Sequence, residues 1–184
     1  MTRTLRLSQQ HIREILDHAR SQYPHEACGL IAGKDGTAFI TIAMKNVSST
    51  PQAHFSMEPN ELLQQLKRID HEQQALLAIY HTHPSGEPIP SPTDIAEAQL
   101  NTPNLNHLII GLKHNDARLK LWHMSDNRVY PVQLLIGNQK AEAHDTLTNS
   151  QKYAIIFAAL LSIVILLTIS FSLLPPAPPI SPVP

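Results

Sequence analysis

The residues best suited to chemistry lie in one stretch, HTHPSGEPIPSPTD, which runs from His81 to Asp94. Alternate side chains of an extended strand leave the same face, so two histidines one residue apart form a chelating pair if the backbone there is a strand. The preceding residues, Ala75 to Tyr80 (ALLAIY), have the short apolar pattern of a buried strand, and His81 and His83 are expected to project together from its end. Asp94 supports two readings. In one, Ser91 is a helix N-cap, Pro92 the first helical residue and Asp94 the acidic third residue of a capping box. In the other, the Asp94 carboxylate joins the imidazoles as a third metal ligand. A His2Asp set leaves a fourth tetrahedral position for water, the pattern of a catalytic zinc site rather than a structural one. The two readings are compatible, because a helix N-terminus is a rigid platform from which a carboxylate can be aimed.

A hydrolytic metal site also needs a base for the proton of its water. Glu26 is the candidate, since it stands just before the apolar segment Ala27 to Ala32, where an unpaired carboxylate is costly to bury. The competing reading of Glu26 is a surface residue on a loop. Of the 11 histidines, the nine others (His11, His18, His25, His54, His71, His107, His114, His123 and His144) have no partner at ligand spacing and are expected at the surface or in packing. The single cysteine, Cys28, excludes an intrachain disulfide and any multi-cysteine zinc site, and its apolar surroundings suit a packing residue.

These residues must be positioned by the elements around them. Ser8 to Gln22 carries Ile12, Ile15, Leu16 and Ala19 at helical spacing. Ala27 to Ala32 reads as a buried strand, Lys34-Asp35-Gly36 as a turn and Thr37 to Met44 as a second strand. A helix is expected over Met57 to His71, another from Pro92 to Leu100, and closing strands over Leu105 to Leu112, Ala117 to Met124 and Val129 to Ile136. The pattern is α/β, a mixed sheet flanked by helices in a single domain over residues 1–136. A chain of 184 residues with 42% apolar content supports one such core. The net charge of -1 gives no electrostatic argument for a nucleic-acid partner.

The C-terminal part differs in kind. Residues 137–152 lack apolar periodicity and read as a polar linker, and no charged residue follows Lys152. Ala154 to Leu174 holds 21 residues whose only polar members are Ser and Thr, a helix of roughly 30 Å that matches the hydrocarbon core of a bilayer. A transmembrane helix over 153–174 is expected, with a Pro-rich disordered tail over 175–184. Lys140 and Lys152 precede the span and no basic residue follows it, which places the globular part on the cytoplasmic side of a single-pass membrane protein. The first residues contain no apolar h-region, so no cleaved secretory signal is expected.

The arrangement His81-x-His83-Pro84, then Ser91-x-x-Asp94, with Glu26 upstream in PHEACGLIAG, resembles the motif of the JAMM (Jab/MPN domain) zinc metalloproteases. The resemblance covers roughly residues 5–136. It implies a single MPN domain with a cytidine-deaminase-like fold. It further implies one Zn2+ per chain held by His81, His83 and Asp94, with Glu26 as general acid and base. Ser91 would donate a hydrogen bond to the developing oxyanion. Family members cut peptide or isopeptide bonds, often after the C-terminal Gly-Gly of ubiquitin or a ubiquitin-like protein, and compact prokaryotic members are associated with ubiquitin-like sulfur carriers. The chain lacks the long insertions with which eukaryotic members grip ubiquitin, which points away from polyubiquitin. Three alternative readings make different demands on the residues. A catalytically silent MPN scaffold at the membrane would be expected to lack ligands that are present here. A zinc deaminase needs a Pro-Cys-x-x-Cys pair, which one cysteine excludes. A zinc hydrolase of non-peptide substrates would use the same residues.

Overall fold

The computed structural model describes residues 4–113, 116–125, 128–140 and 149–172. The chain divides into two units, residues 1–141 and 142–184. In the first unit the order is β1 (Thr4–Leu7), α1 (Gln9–Gln22), β2 (Cys28–Lys34), β3 (Thr37–Met44), α2 (Pro59–His71), β4 (Ala75–His83), α3 (Pro92–Asn101), β5 (Asn106–Gly111), β6 (Arg118–Ser125) and β7 (Arg128–Ile136). The second unit contains α4 (Asn149–Ser172).

The strands form one mixed sheet in the order β1-β3-β2-β4-β5-β6-β7. β4 and β5 are parallel, joined through α3, whereas β2 is antiparallel to both β3 and β4. The turn between β2 and β3 has Asp35 and Gly36 at φ of 51° and 77°, the two positive values of a tight primed hairpin turn. The mixed sheet and flanking helices agree with the sequence reading. The sequence did not suggest β1, a four-residue strand too short to show a period. β1 pairs in parallel with β7 and bridges to β3 at Arg6 and Thr37, closing the sheet on itself.

Alternation along β4 sorts its side chains between two cores. Ala78 and Tyr80 join Leu5, Ile12, Ile15, Ile31 and Leu108 on the side of α1, where the Tyr80 hydroxyl lies 2.9 Å from His18 Nδ1. Ile79 faces the other side with Cys28, Leu30, Met44 and Ile69, the core beneath α2. By the same alternation His81 and His83 continue the Ile79 side. The strand therefore runs three residues past the expected end at Tyr80 and carries both histidines.

In the second unit, α4 includes Tyr153–Ser170, a stretch long and apolar enough to cross a membrane by length and composition. It begins at Asn149, before the expected position 153, so its first turn takes in the end of the expected polar linker. Residues 141–148 of that linker, residues 173 and 174 of the expected span, and the Pro-rich tail lie outside the described residues.

Candidate metal centre

His81 and His83 leave the end of β4 on one face, and Asp94 approaches from the first turn of α3. Their Nε2 atoms are 3.2 Å apart. Asp94 Oδ1 lies 3.5 Å from His81 Nε2, and Oδ2 lies 3.2 Å from His83 Nε2. One donor atom from each residue falls within 4.8 Å of the others, forming a group that could hold a metal ion. Four ligands at about 2.0–2.1 Å around a tetrahedral zinc are separated by about 3.3–3.4 Å, close to the spacings found here. The donor set, two imidazoles and a carboxylate, therefore fits zinc in chemistry and in scale.

The surroundings fix each ligand. His83 Nδ1 lies 3.1 Å from the Glu87 carbonyl oxygen. A carbonyl only accepts, so Nδ1 carries the hydrogen, and in the neutral ring the Nε2 lone pair faces the cradle. The His81 ring is fully buried and stacks on Phe55 with centroids 4.6 Å apart and planes at 22°. Both readings of Ser91 and Asp94 coexist: Ser91 Oγ accepts from the Asp94 amide at 3.1 Å, and Asp94 Oδ2 accepts from the Ser91 amide at 2.7 Å. The capping box holds the carboxylate in place while leaving it directed at the histidines. The Ser91 oxygen accepts from the Asp94 amide, and its hydroxyl hydrogen has no acceptor among the described residues.

Glu26 is 4% exposed, so the loop-surface reading of this residue does not hold. Its backbone is clamped on both sides. The amide donates to the Pro51 carbonyl at 2.6 Å, and the carbonyl accepts from Asn46 Nδ2 at 2.9 Å. β2 and β4 pair Cys28 with His81, and the pairing continues through Ala27, whose amide donates to Thr82 Oγ1 at 2.8 Å and whose carbonyl accepts from the Thr82 amide at 3.0 Å. Glu26 precedes this pairing, and its carboxyl feels the charges of His83 and Asp94. Glu26 Oε2 is buried without a hydrogen-bond partner among the described residues, unlike the fully engaged Asp94.

The two carboxylates differ accordingly. Burial alone would raise the Asp94 carboxyl, but hydrogen bonds from His81 and His83 outweigh it and hold the group well below the usual carboxylate range. Burial pushes Glu26 up to about 7; His83 opposes this, while the negative charges of Asp94 and Glu97 add to it. Burial holds His81 below the ordinary imidazole value against the pull of Asp94. For His83, burial is outweighed by Asp94 and the Glu87 carbonyl, and the net direction is upward.

The remaining expectations are largely met among the described residues. Cys28 is buried with its thiol 3.7 Å from the Met44 carbonyl, and burial pushes it up to about 12, so it packs rather than ligates. His11 closes the capping box of α1, and His107 and His123 are buried next to Thr102 and Asn106. His114 and His144 lie outside the described residues. Sequence reasoning missed the loop between β3 and α2. There Asn46 donates to the carbonyls of Glu26 and His54 and accepts from the amides of Ser48 and Ser56. That fold-back brings Phe55 onto His81. The only signal available was an aromatic residue in an otherwise polar stretch.

The architecture and cradle define a class: a single α/β domain built around a His–His–Asp group able to hold a metal. The chain belongs to the family described as prokaryotic homologs of the JAB domain, which matches residues 8–125. It is 38% identical over 92 residues to a protein of Thermus thermophilus named "Probable TtuB-protein conjugate cleaving protease", covering 50% of this chain and 62% of that one. It is 34% identical over 86 residues to a Haloferax volcanii protein named "Desampylase", covering 44% of this chain and 62% of that one. The match thus spans less than two thirds of either relative. A solution structure of a Desulfitobacterium hafniense protein is similar at a TM-score of 0.65 and 28% identity, covering 78% of this chain and 99% of that one.

Proposed function

We propose that this chain is a zinc-dependent peptidase or isopeptidase that hydrolyses the bond after the C-terminal Gly-Gly of a ubiquitin-like or sulfur-carrier protein. The observation that carries the reading is the spacing of His81, His83 and Asp94 at tetrahedral-edge distances, with the buried Glu26 within electrostatic reach of His83 and Asp94. The relatives named for cleaving conjugates support the choice of a protein substrate. A silent scaffold would have no need of this complete set.

His81 Nε2, His83 Nε2 and one Asp94 oxygen would hold the ion. When bound, zinc supplies Lewis acidity, which polarises a scissile carbonyl and makes water acidic enough to attack at neutral pH. Glu26 takes the proton of the attacking water on a carboxylate oxygen and gives it to the leaving nitrogen as the C–N bond breaks. A carboxyl near 7 suits a group that must both accept and return a proton. The Ser91 hydroxyl donates to the oxygen on which negative charge develops. Asp94, anchored by its helix, and His83, anchored by the Glu87 carbonyl, keep their donor atoms in place throughout.

We further propose that α4 is a single-pass anchor that holds the domain at the cytoplasmic face of a membrane, followed by a disordered Pro-rich tail. Its described side chains between Tyr153 and Ile169 include a dozen exposed large apolar residues, a composition suited to lipid.

The test uses the full chain in detergent micelles, loaded with zinc and incubated with a ubiquitin-like sulfur carrier extended past its Gly-Gly end, with products read by mass spectrometry. Cleavage after Gly-Gly by the wild type but not by Glu26→Gln is expected. Equal cleavage by both proteins would reject the mechanism, and no cleavage by zinc-loaded wild type would reject this substrate class.

A further inference from the structure

The loop between β4 and α3 is pinned against β5 and β6. Trp122 Nε1 on β6 donates to the Pro88 carbonyl at 2.8 Å. Gly111 ends β5 where a Cβ would stand 2.7 Å from the Gly86 oxygen and 2.8 Å from Pro88 Cδ and N, so the loop approaches as closely as it does only because position 111 has no side chain. The Leu112 amide donates to the His83 carbonyl at 3.1 Å. Glu87 sits between these anchors, and its carbonyl is the acceptor for His83 Nδ1. Its side chain lies 3.9 Å from Lys113 Nζ and 3.6 Å from Arg118 Nη1, solvated pairs that contribute little.

We infer that Trp122 and Gly111 are positioning residues for the His83 ligand: they hold the Glu87 carbonyl against Nδ1, and that carbonyl keeps the Nε2 lone pair turned into the cradle. The inference rests on the proposed reading of His81, His83 and Asp94 as ligands. Neither residue touches the reacting atoms. The indole ring also packs under the Lys120 ammonium, 4.2 Å from the ring centroid. A phenylalanine keeps an aromatic face for Lys120 and loses the donor to Pro88 along with part of the ring, which is why thermal stability is followed in the same variant. The second partner of a metal-bound imidazole sets its tautomer and orientation, and loss of such a partner lowers metal affinity by about 10–100-fold.

The test compares wild type, Trp122→Phe, Gly111→Ala and His83→Ala as full chains in detergent micelles. Zinc affinity is measured by chelator competition, the exchange of the His83 Nδ1-bound proton by NMR in zinc-free protein, and thermal stability alongside. Trp122→Phe is expected to bind zinc about tenfold more weakly, with faster exchange of the Nδ1 proton and little change in melting temperature. Gly111→Ala is expected to lose more; should it fail to fold, Trp122→Phe decides alone. Wild-type zinc affinity and unchanged proton exchange in Trp122→Phe would overturn the inference, as would a lower melting temperature with neither of the other two readouts altered. Wild type that binds no zinc, or His83→Ala that binds as well as wild type, would overturn the cradle and this inference with it, and the wild-type titration tells the two failures apart.

Discussion

Glu26 and Asp94 are the two carboxylates of the proposed site, and their surroundings push them in opposite directions. Asp94 accepts from the Ser91 amide, lies beside both imidazoles and is held below the usual carboxylate range, whereas Glu26 is buried with one oxygen unengaged and rises to about 7. Pairs driven apart in this way commonly divide the roles of ligand and proton carrier. His81→Ala and His83→Ala are accordingly expected to abolish stoichiometric zinc, read by elemental analysis of the purified protein, and full retention would show that the ligands lie elsewhere. Glu26→Gln is expected to keep zinc and lose turnover by about 10²–10⁴-fold, and wild-type turnover would remove it from the mechanism. His81, His83, Ser91 and Asp94 were legible because they fall within one contiguous stretch. Glu26 was legible only through the cost of its burial and the family resemblance, since its neighbours in the fold depend on long-range contacts that no local pattern encodes.

Thr82 shows how the elements make the site. It lies between the two histidines and faces away from them, where its hydroxyl and amide hold Ala27 and so fix the start of β2, next to Glu26. Thr82→Val keeps the shape and leaves the buried Ala27 amide without its acceptor, a loss of about 1–3 kcal/mol. Urea unfolding should show a lower midpoint, with turnover reduced while zinc is retained. Unchanged stability and turnover would mean that this bond does not place Glu26. The helices α1 and α3 were expected within a residue or so of their observed bounds, because apolar spacing and the caps at Ser8 and Ser91 are local signals. The end of β4 was not, since histidines and threonine break the apolar run that marks a strand. Nor was the loop around Asn46, which is held by side chain to backbone bonds rather than by any period.

At the scale of the molecule, acid should loosen the domain through His107. Burial pushes this imidazole down to about 4, so it is neutral in the folded state and more basic in the unfolded one. Its contribution is fully present above the unfolded value near 6.5 and is lost as pH falls through about 4, a change of up to ~3 kcal/mol. His107→Gln should flatten the decline in urea midpoint between pH 7 and pH 4, and parallel curves for the two proteins would reject His107 as its source. Glu26 acts in the opposite direction over part of this range and is common to both proteins. If α4 anchors the chain, the full chain should stay with membranes through alkaline carbonate washing, whereas a chain ending at Lys140 should be released, and release of both would reject the anchor. The double use of Asp94 has a consequence for inheritance. Its carboxylate is held by the capping box that also starts α3, so one set of hydrogen bonds serves both the helix and the cradle. A single inherited change at Ser91 would therefore cost both the helix start and the aim of the proposed ligand, so that folding and the proposed chemistry share one point of failure.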